Sequence, residues 1–352
     1  MIKDPFILTI NTKNLLKNYN FFNKRRKGLI VAPTIKANAY GLGDVRIFKF
    51  LLKNKCKHFF VATLDEGIRL NNLNKNIKIY VLNGIQNYDL NIFKKHNLIP
   101  IINSIYELKK IIKKDIKFGL HIDTGINRLG INCNEIPSDI YKNNNIKIVL
   151  THLSSADERN NKYNSLQKNI FLKEIKKFKN KKIIFSISNS NGSILSKSFL
   201  LDMIRPGIGL YGGNNQNIKL ASKLKPVVFL KAKIIQIKKI NYNEYVGYNQ
   251  TFKTNKKTTI AIIGAGYADG IPRKLSNRGK VFFKKDKFNI IGRISMDSFT
   301  IDISKTKYNL KEGQYIDIIN EKYGVEEFAL QCETISNEVI TSFSGRIKKI
   351  YV

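Results

Sequence analysis

The chain has 352 residues, with 62 Lys+Arg against 26 Asp+Glu for a formal charge of +36, 43% hydrophobic residues and three cysteines. That length points to two domains with large cores, and Cys56, Cys133 and Cys332, odd in number and in no CxxC or Cys/His spacing, argue against a disulfide framework or a structural zinc centre. The charge is spread along the whole chain with Asn and Ile, as in Lys53–Asn54–Lys55 and Lys177–Phe178–Lys179–Asn180–Lys181–Lys182, so it reads as compositional bias and not as a nucleic-acid patch.

The first apolar run, Phe6–Ile10 behind Lys3 and Asp4, is too short for a signal-peptide core. No apolar stretch approaches the roughly 18 residues of a membrane span, so the expected location is the cytoplasm and no membrane partner is expected. Eight β-branched runs follow: Leu29–Ile35, His58–Leu64, Ile77–Leu82, Ile99–Ile102, Phe118–Ile122, Ile146–Leu153, Ile183–Ile187 and Met203–Leu210. Helix-period segments such as Val45–Leu52 and Leu166–Phe178 separate most of them. Alternating strands and helices imply parallel strands, and eight of them predict an N-terminal (β/α)8 TIM-like barrel. After Gly212–Gly213 the polar stretch Asn214–Lys225 leads to Pro226 and a long run, Val227–Ile240. From there the helix period disappears into strand-and-turn text: Thr258–Ile263, Lys280–Phe283, Phe288–Ile294, Phe299–Ile303 and Gln314–Ile319. The expected division is a barrel domain over 1–225 and a C-terminal mainly-β domain over 226–352, with a first strand at about 5–11 free to pack with the β domain.

Active sites of barrels are built from loops at the C-terminal ends of the strands. The segment after the first buried run, Thr34–Ile35–Lys36–Ala37–Asn38–Ala39–Tyr40–Gly41, puts a lysine among apolar residues at a strand end. Burying an ammonium there costs free energy unless chemistry compensates. Ile35–Gly41 resembles the pyridoxal-phosphate attachment motif of the alanine racemases. Further blocks resemble that family in the same order: Asp123–Thr124–Gly125–Ile126–Asn127–Arg128–Leu129–Gly130, Thr151–His152–Leu153, Arg205–Pro206–Gly207–Ile208–Gly209–Leu210–Tyr211–Gly212, Gly266–Tyr267–Ala268–Asp269–Gly270 and Gly292–Arg293–Ile294–Ser295–Met296–Asp297.

The resemblance implies an enzyme, a pyridoxal-phosphate-dependent isomerase of small amino acids that interconverts L- and D-alanine for peptidoglycan synthesis and works as a homodimer. It implies that Lys36 attaches the cofactor and is one acid/base, and that Tyr267 from the partner subunit is the other, since one base can work only one face of the α-carbon. Arg205 is implied at the pyridine nitrogen, with His152 in the network that tunes Tyr267. Tyr40, Ser190, Gly207 and Ile208 are implied at the phosphate, and Arg128 with Met296 from across the dimer at the substrate carboxylate. No metal is implied. A serine or broad-specificity racemase of the same fold is the alternative, and a nucleic-acid-binding protein is disfavoured because Tyr and Phe lie mainly within apolar runs.

Several positions depart from the family pattern. His121 stands where many members carry a lysine, carbamylated to an anion that pins the carboxylate-binding arginine. Leu42 replaces a common histidine, and Pro33 removes a ladder donor from the first barrel strand. Ser342–Phe343–Ser344–Gly345–Arg346 offers no hydroxyl at Phe343 or Gly345 where some members supply a phosphate-binding tyrosine.

Overall fold

The computed structural model describes residues 5–215, 217–343 and 345–352. Two compact units emerge from the contacts: Leu16–Leu210 with Gln216–Leu224, and Met1–Leu15 with Tyr211–Asn215 and Lys225–Val352.

Strand β1 (Phe6–Ile10) belongs to the second unit. The first unit is built on β2 (Ile30–Val31), β3 (His58–Val61), β4 (Lys78–Val81), β5 (Leu98–Ile102), β6 (Phe118–Asp123), β8 (Ile146–Leu150), β9 (Ile184–Ser186) and β10 (Met203–Ile204), with a short β7 (Ile131–Asn132) beside β6. Strands β3 to β9 pair in parallel in chain order, and β10 pairs in parallel with β2. Single bridges close the ring, Thr34 to Phe60 and Ser188 to Ile204. All eight predicted runs thus become the eight staves of a closed parallel barrel. Pro33 is tolerated in the first stave because its carbonyl accepts Phe60 N (2.9 Å) while Thr34 N, the next donor, reaches Pro206 O (2.8 Å).

A barrel of this size is filled by its own side chains, and Ala32, Phe60, Tyr80, Ile99, Ile101, Ile148, Leu150 and Met203 form its core cluster. The helices Asp44–Lys53 and Lys162–Ile175 lie where apolar periodicity placed them, to within a few residues.

In the second unit β11 (Val228–Ile240), β12 (Tyr245–Val246), β13 (Phe252–Lys253), β14 (Thr258–Ile263), β15 (Lys280–Phe283), β16 (Asp286–Ile291), β17 (Phe299–Asp302), β18 (Tyr315–Ile319) and β19 (Lys348–Tyr351) follow. The long β11 pairs with β18 through its first half and with β14 through its second, so β11, β14, β17, β16, β15 and β18 close an antiparallel ring. Strand β1 pairs with β11 and β19. One expectation is corrected: helices recur in this unit, at Val325–Gln331 and Ser336–Ser342. Each has seven residues, too few for the helix period to stand out, yet Val325, Phe328 and Ala329 keep the i, i+3, i+4 spacing and are buried. No helix of the described residues is long and apolar enough to cross a membrane.

Candidate active site

Within the barrel unit the predicted site residues sit at one end, beyond the C-terminal ends of the staves: Lys36 after β2, Arg128 after β6, His152 after β8, Ser190 after β9 and Arg205, Gly207 and Ile208 after β10. Lys36 opens a turn whose next four residues, Ala37, Asn38, Ala39 and Tyr40, have φ of 52°, 55°, 52° and 56°. Left-handed backbone costs a residue with a Cβ roughly 1–2 kcal/mol, so four in succession must be held from outside. Glu66 does so, its carboxylate accepting Ala37 N (2.6 Å), Ala62 N (2.8 Å) and Thr63 N (3.3 Å). Asn38 Oδ1 accepts Asp44 N (2.9 Å), and Asp44 is ion-paired to Arg69. The turn thereby holds the start of the Lys36 side chain. Burial, reinforced by the Arg128 charge and opposed by Glu66, lowers the Lys36 pKa.

Arg128 and Arg205 supply the fixed positive charge near Lys36 and His152, with Glu66 opposing it at Lys36. Arg205, 6% exposed, donates from Nη1 to Ser186 Oγ (2.5 Å) and from Nη2 to Thr151 O (2.6 Å), with its guanidinium 5.9 Å from the Phe60 ring centre. No carboxylate is paired with it among the described residues. His152, partly exposed but crowded by protein, is held well below the usual histidine range by burial and by Arg205, Arg128, His121 and Lys36. Burial and then Arg205 depress buried His121 to about 3 against the pull of Asp123, with Arg128 adding a smaller push. Asp123 shapes the loop that carries Arg128, accepting Gly125 N (2.8 Å), Ile126 N (3.0 Å) and Asn127 N (3.3 Å). Arg128 itself is exposed in this chain, with no hydrogen bond or ion pair among the described residues.

The predicted phosphate residues also converge. Ser190 Oγ accepts Gly207 N (3.0 Å) and Gly209 N (3.1 Å), leaving its own O–H to donate. A Cβ on Gly207 would lie 2.3 Å from the hydroxyl of Tyr40, which burial keeps protonated by raising its pKa to about 12. Two hydroxyl donors beside glycine backbone, below a wall of arginines, fit the phosphate and pyridine ends of pyridoxal phosphate, and a buried lysine of depressed pKa fits its covalent attachment. The Gly207 amide already has a partner in Ser190, so an anion drawing on it displaces that contact.

The remaining two predicted residues lie in the second unit. Tyr267 N donates to Ser295 O (3.1 Å) and Ala268 N to Met296 O (3.1 Å), which brings Tyr267 (46% exposed) and Met296 (52% exposed) together. A side chain on Gly266 would run into the Met296 carbonyl, at 2.2 Å. With Tyr248, Arg273 and Ile294 they line a cleft of about 610 Å³. Arg346 ties the two loops, donating to Asp269 Oδ1 (3.1 Å) and Asp297 Oδ1 (2.8 Å). Of the C-terminal segment that departs from the family pattern, Ser344 lies outside the described residues.

The sequence reading passed over Glu66, although Thr63–Leu64–Asp65–Glu66 is a visible capping-box pattern and the reciprocal bonds are made. Neither Asn103 nor the hold of Arg346 on Asp269 and Asp297 was read from the sequence, where the only signal is a polar residue near a strand terminus.

Comparison with known proteins gives the family. Residues 10–215 match the alanine racemase N-terminal domain and residues 227–351 the alanine racemase C-terminal domain. The chain belongs to the alanine racemase family. Among relatives within that family, the alanine racemase of Rickettsia bellii (strain RML369-C) is 37% identical over 338 residues, covering 92% of this chain and 82% of that protein. The alanine racemase of Rickettsia akari (strain Hartford) is 36% identical over 98% of both chains. The structure of the Bartonella henselae alanine racemase, which carries covalently bound pyridoxal phosphate, superposes with a TM-score of 0.94 at 31% identity, over 99% of this chain and 100% of that one.

Proposed function

We propose that this chain is a cytoplasmic homodimeric racemase that interconverts L- and D-alanine with two bases and supplies D-alanine for peptidoglycan, residues 1–225 binding the cofactor and 226–352 completing the partner subunit's site. The observation that carries the reading is Lys36: a lysine of lowered pKa on a clamped left-handed turn, beside the permanent Arg128 charge and in no ion pair among the described residues. Pyridoxal phosphate, attached at Lys36 Nζ, supplies the electron sink that makes an amino acid's α-hydrogen removable.

Every other part falls to side chains of the protein. Lys36 Nζ takes or returns the proton on one face of the α-carbon, and its lowered pKa keeps a larger share in the basic form at neutral pH. Tyr267 Oη serves the opposite face from across the dimer. Arg128 and Met296 hold the substrate carboxylate, the arginine as a permanent two-pronged donor. Tyr40, Ser190 and the amides of Gly207 and Ile208 hold the phosphate. Arg205 would direct a charged N–H at the pyridine nitrogen and so disfavour its protonation; His152, kept neutral, belongs to the network that serves Tyr267. By disfavouring that protonation Arg205 would leave the bound group a weaker electron sink, which limits side reactions.

Racemisation measured by loss of optical rotation across a panel of L-amino acids tests the reading. Alanine turns over fastest if it is right; a chain that racemises none of the panel, or prefers a larger side chain, overturns it.

A further inference from the structure

His121 projects from β6 at the barrel's C-terminal end, is 6% exposed, and no step above uses it. Its hydrogen bonding fixes its tautomer. The Asn103 amide nitrogen donates to Leu82 O (2.8 Å) and Ile101 O (2.8 Å). Both partners are carbonyls, so the other amide atom must be the oxygen. That oxygen lies 2.9 Å from His121 Nδ1, which must therefore carry the hydrogen and donate. A neutral imidazole has one hydrogen only, so Nε2 is a bare acceptor. It is buried and has no partner among the described residues.

A second hydrogen on Nε2 would place a buried imidazolium beside Arg205 and Arg128, a cost that the Asp123 carboxylate, itself accepting from its own loop, offsets only in part. The other titratable neighbour is His152, itself held neutral. The buried lone pair therefore calls for a donor. Arg205 is held at both Nη atoms by Ser186 and Thr151, and a remaining N–H is the one assigned to the pyridine nitrogen. Arg128, seven residues along the same strand and loop and close enough to bias His121, has no hydrogen-bond partner of its own among the described residues.

We propose that His121 is a positioning residue: its bare Nε2 accepts an N–H of the Arg128 guanidinium and aims that arginine at the substrate carboxylate. This rests on the assignment of Arg128 to the carboxylate. The imidazole acts as a neutral relay, Asn103 fixing one nitrogen and the other fixing the arginine, with no buried anion and no bound carbon dioxide. One nitrogen is committed to Asn103, so rotating the ring loses that bond.

Two measurements on the intact holoenzyme test it. Steady-state kinetics are compared for His121→Leu, His121→Gln, Arg128→Ala and the double variant His121→Leu/Arg128→Ala. Losing an acceptor to a charged donor is expected to raise KM for alanine about tenfold in His121→Leu with kcat little changed. His121→Gln, whose carboxamide can donate to Asn103 and accept from Arg128, recovers most of that loss. In the Arg128→Ala background His121→Leu adds nothing further. If Arg128→Ala raises KM while His121→Leu does not, or if the His121→Leu penalty persists in full without Arg128, the relay is overturned and the carboxylate assignment stands. If Arg128→Ala itself leaves KM unchanged, the carboxylate assignment fails first. Should His121→Leu not fold, nitrogen-15 NMR of histidine-labelled wild-type protein decides: an Nδ1–H tautomer that stays neutral from about pH 9 to about pH 5 supports the relay, and an Nε2–H tautomer or a titration in that range overturns it.

Discussion

Lys36 is the residue on which the proposed chemistry turns, and its setting gives it a measurable signature. Replacing it with alanine is expected to abolish the absorbance of covalently held cofactor together with all racemisation; a Lys36→Ala protein that still yields a cofactor adduct after borohydride reduction places the attachment elsewhere. The Arg128 charge lowers the Lys36 pKa, so removing it raises that pKa. Attachment needs the free amine, so the rate at which cofactor-free Arg128→Leu takes up pyridoxal phosphate should rise with pH at higher values than in the parent. Where the family pattern has a carbamylated lysine this chain has His121, which forms no stable carbamate, so turnover should be indifferent to bicarbonate. A reversible loss of rate in carbon dioxide-free buffer would mean that another lysine has taken that part. At this scale the sequence was legible wherever a residue type is tied to its chemistry by a motif, as with Lys36 and Arg205. It was silent about Glu66, Asn103 and Arg346, which act by holding backbone or other side chains and which only three-dimensional neighbours reveal.

Among the elements, the left-handed turn 37–40 stores strain that Glu66 restrains. Glu66→Ala leaves three backbone N–H groups without their carboxylate, and an unsatisfied donor costs about 1–3 kcal/mol where water cannot replace the partner. The variant should be less stable in urea and should release cofactor faster; unchanged stability and release would show that the turn holds itself. Gly207→Ala tests the phosphate loop: its new methyl meets the Tyr40 hydroxyl, and Tyr40 is 8% exposed with little room to swing away. Cofactor affinity should fall while the fold persists. All eight barrel staves were legible because each is a short β-branched run between helical periods. The pairs β12 and β13, of two residues each, and the seven-residue helices of the second unit were not, since a period cannot be read from one or two turns. The turn after Lys36 was invisible for a different reason: Asn38 tolerates positive φ, but Ala37, Ala39 and Tyr40 have no preference for it, and the surrounding contacts impose it.

For the whole molecule, histidines held neutral by the surrounding protein contribute to the response to acid. His58 and His121 are held down to about 4 and about 3, chiefly by burial, and His152 is also held low. The unfolded chain binds protons on them below about pH 6.5 and the folded chain does not, so stability is present above that pH and is lost as pH falls towards the folded values. His121 alone, 6% exposed, contributes a slope of about 1.4 kcal/mol per pH unit in that window. Urea unfolding at about pH 7.5 and about pH 5.5 should show the lower pH clearly less stable, and equal midpoints would mean that the ring sites admit a proton. The largest claim is that one working site draws Lys36 from one chain and Tyr267 from another. It is tested by co-expressing Lys36→Ala with Tyr267→Phe and assaying the isolated mixed dimer, each parent homodimer being nearly inactive because a positioned acid/base group is worth on the order of 10²–10⁴ in rate. If Tyr267 crosses the interface, one site of the mixed dimer carries both defects and the other is intact, and about half the wild-type activity per dimer returns; a mixed dimer no more active than its parents would contradict the shared site.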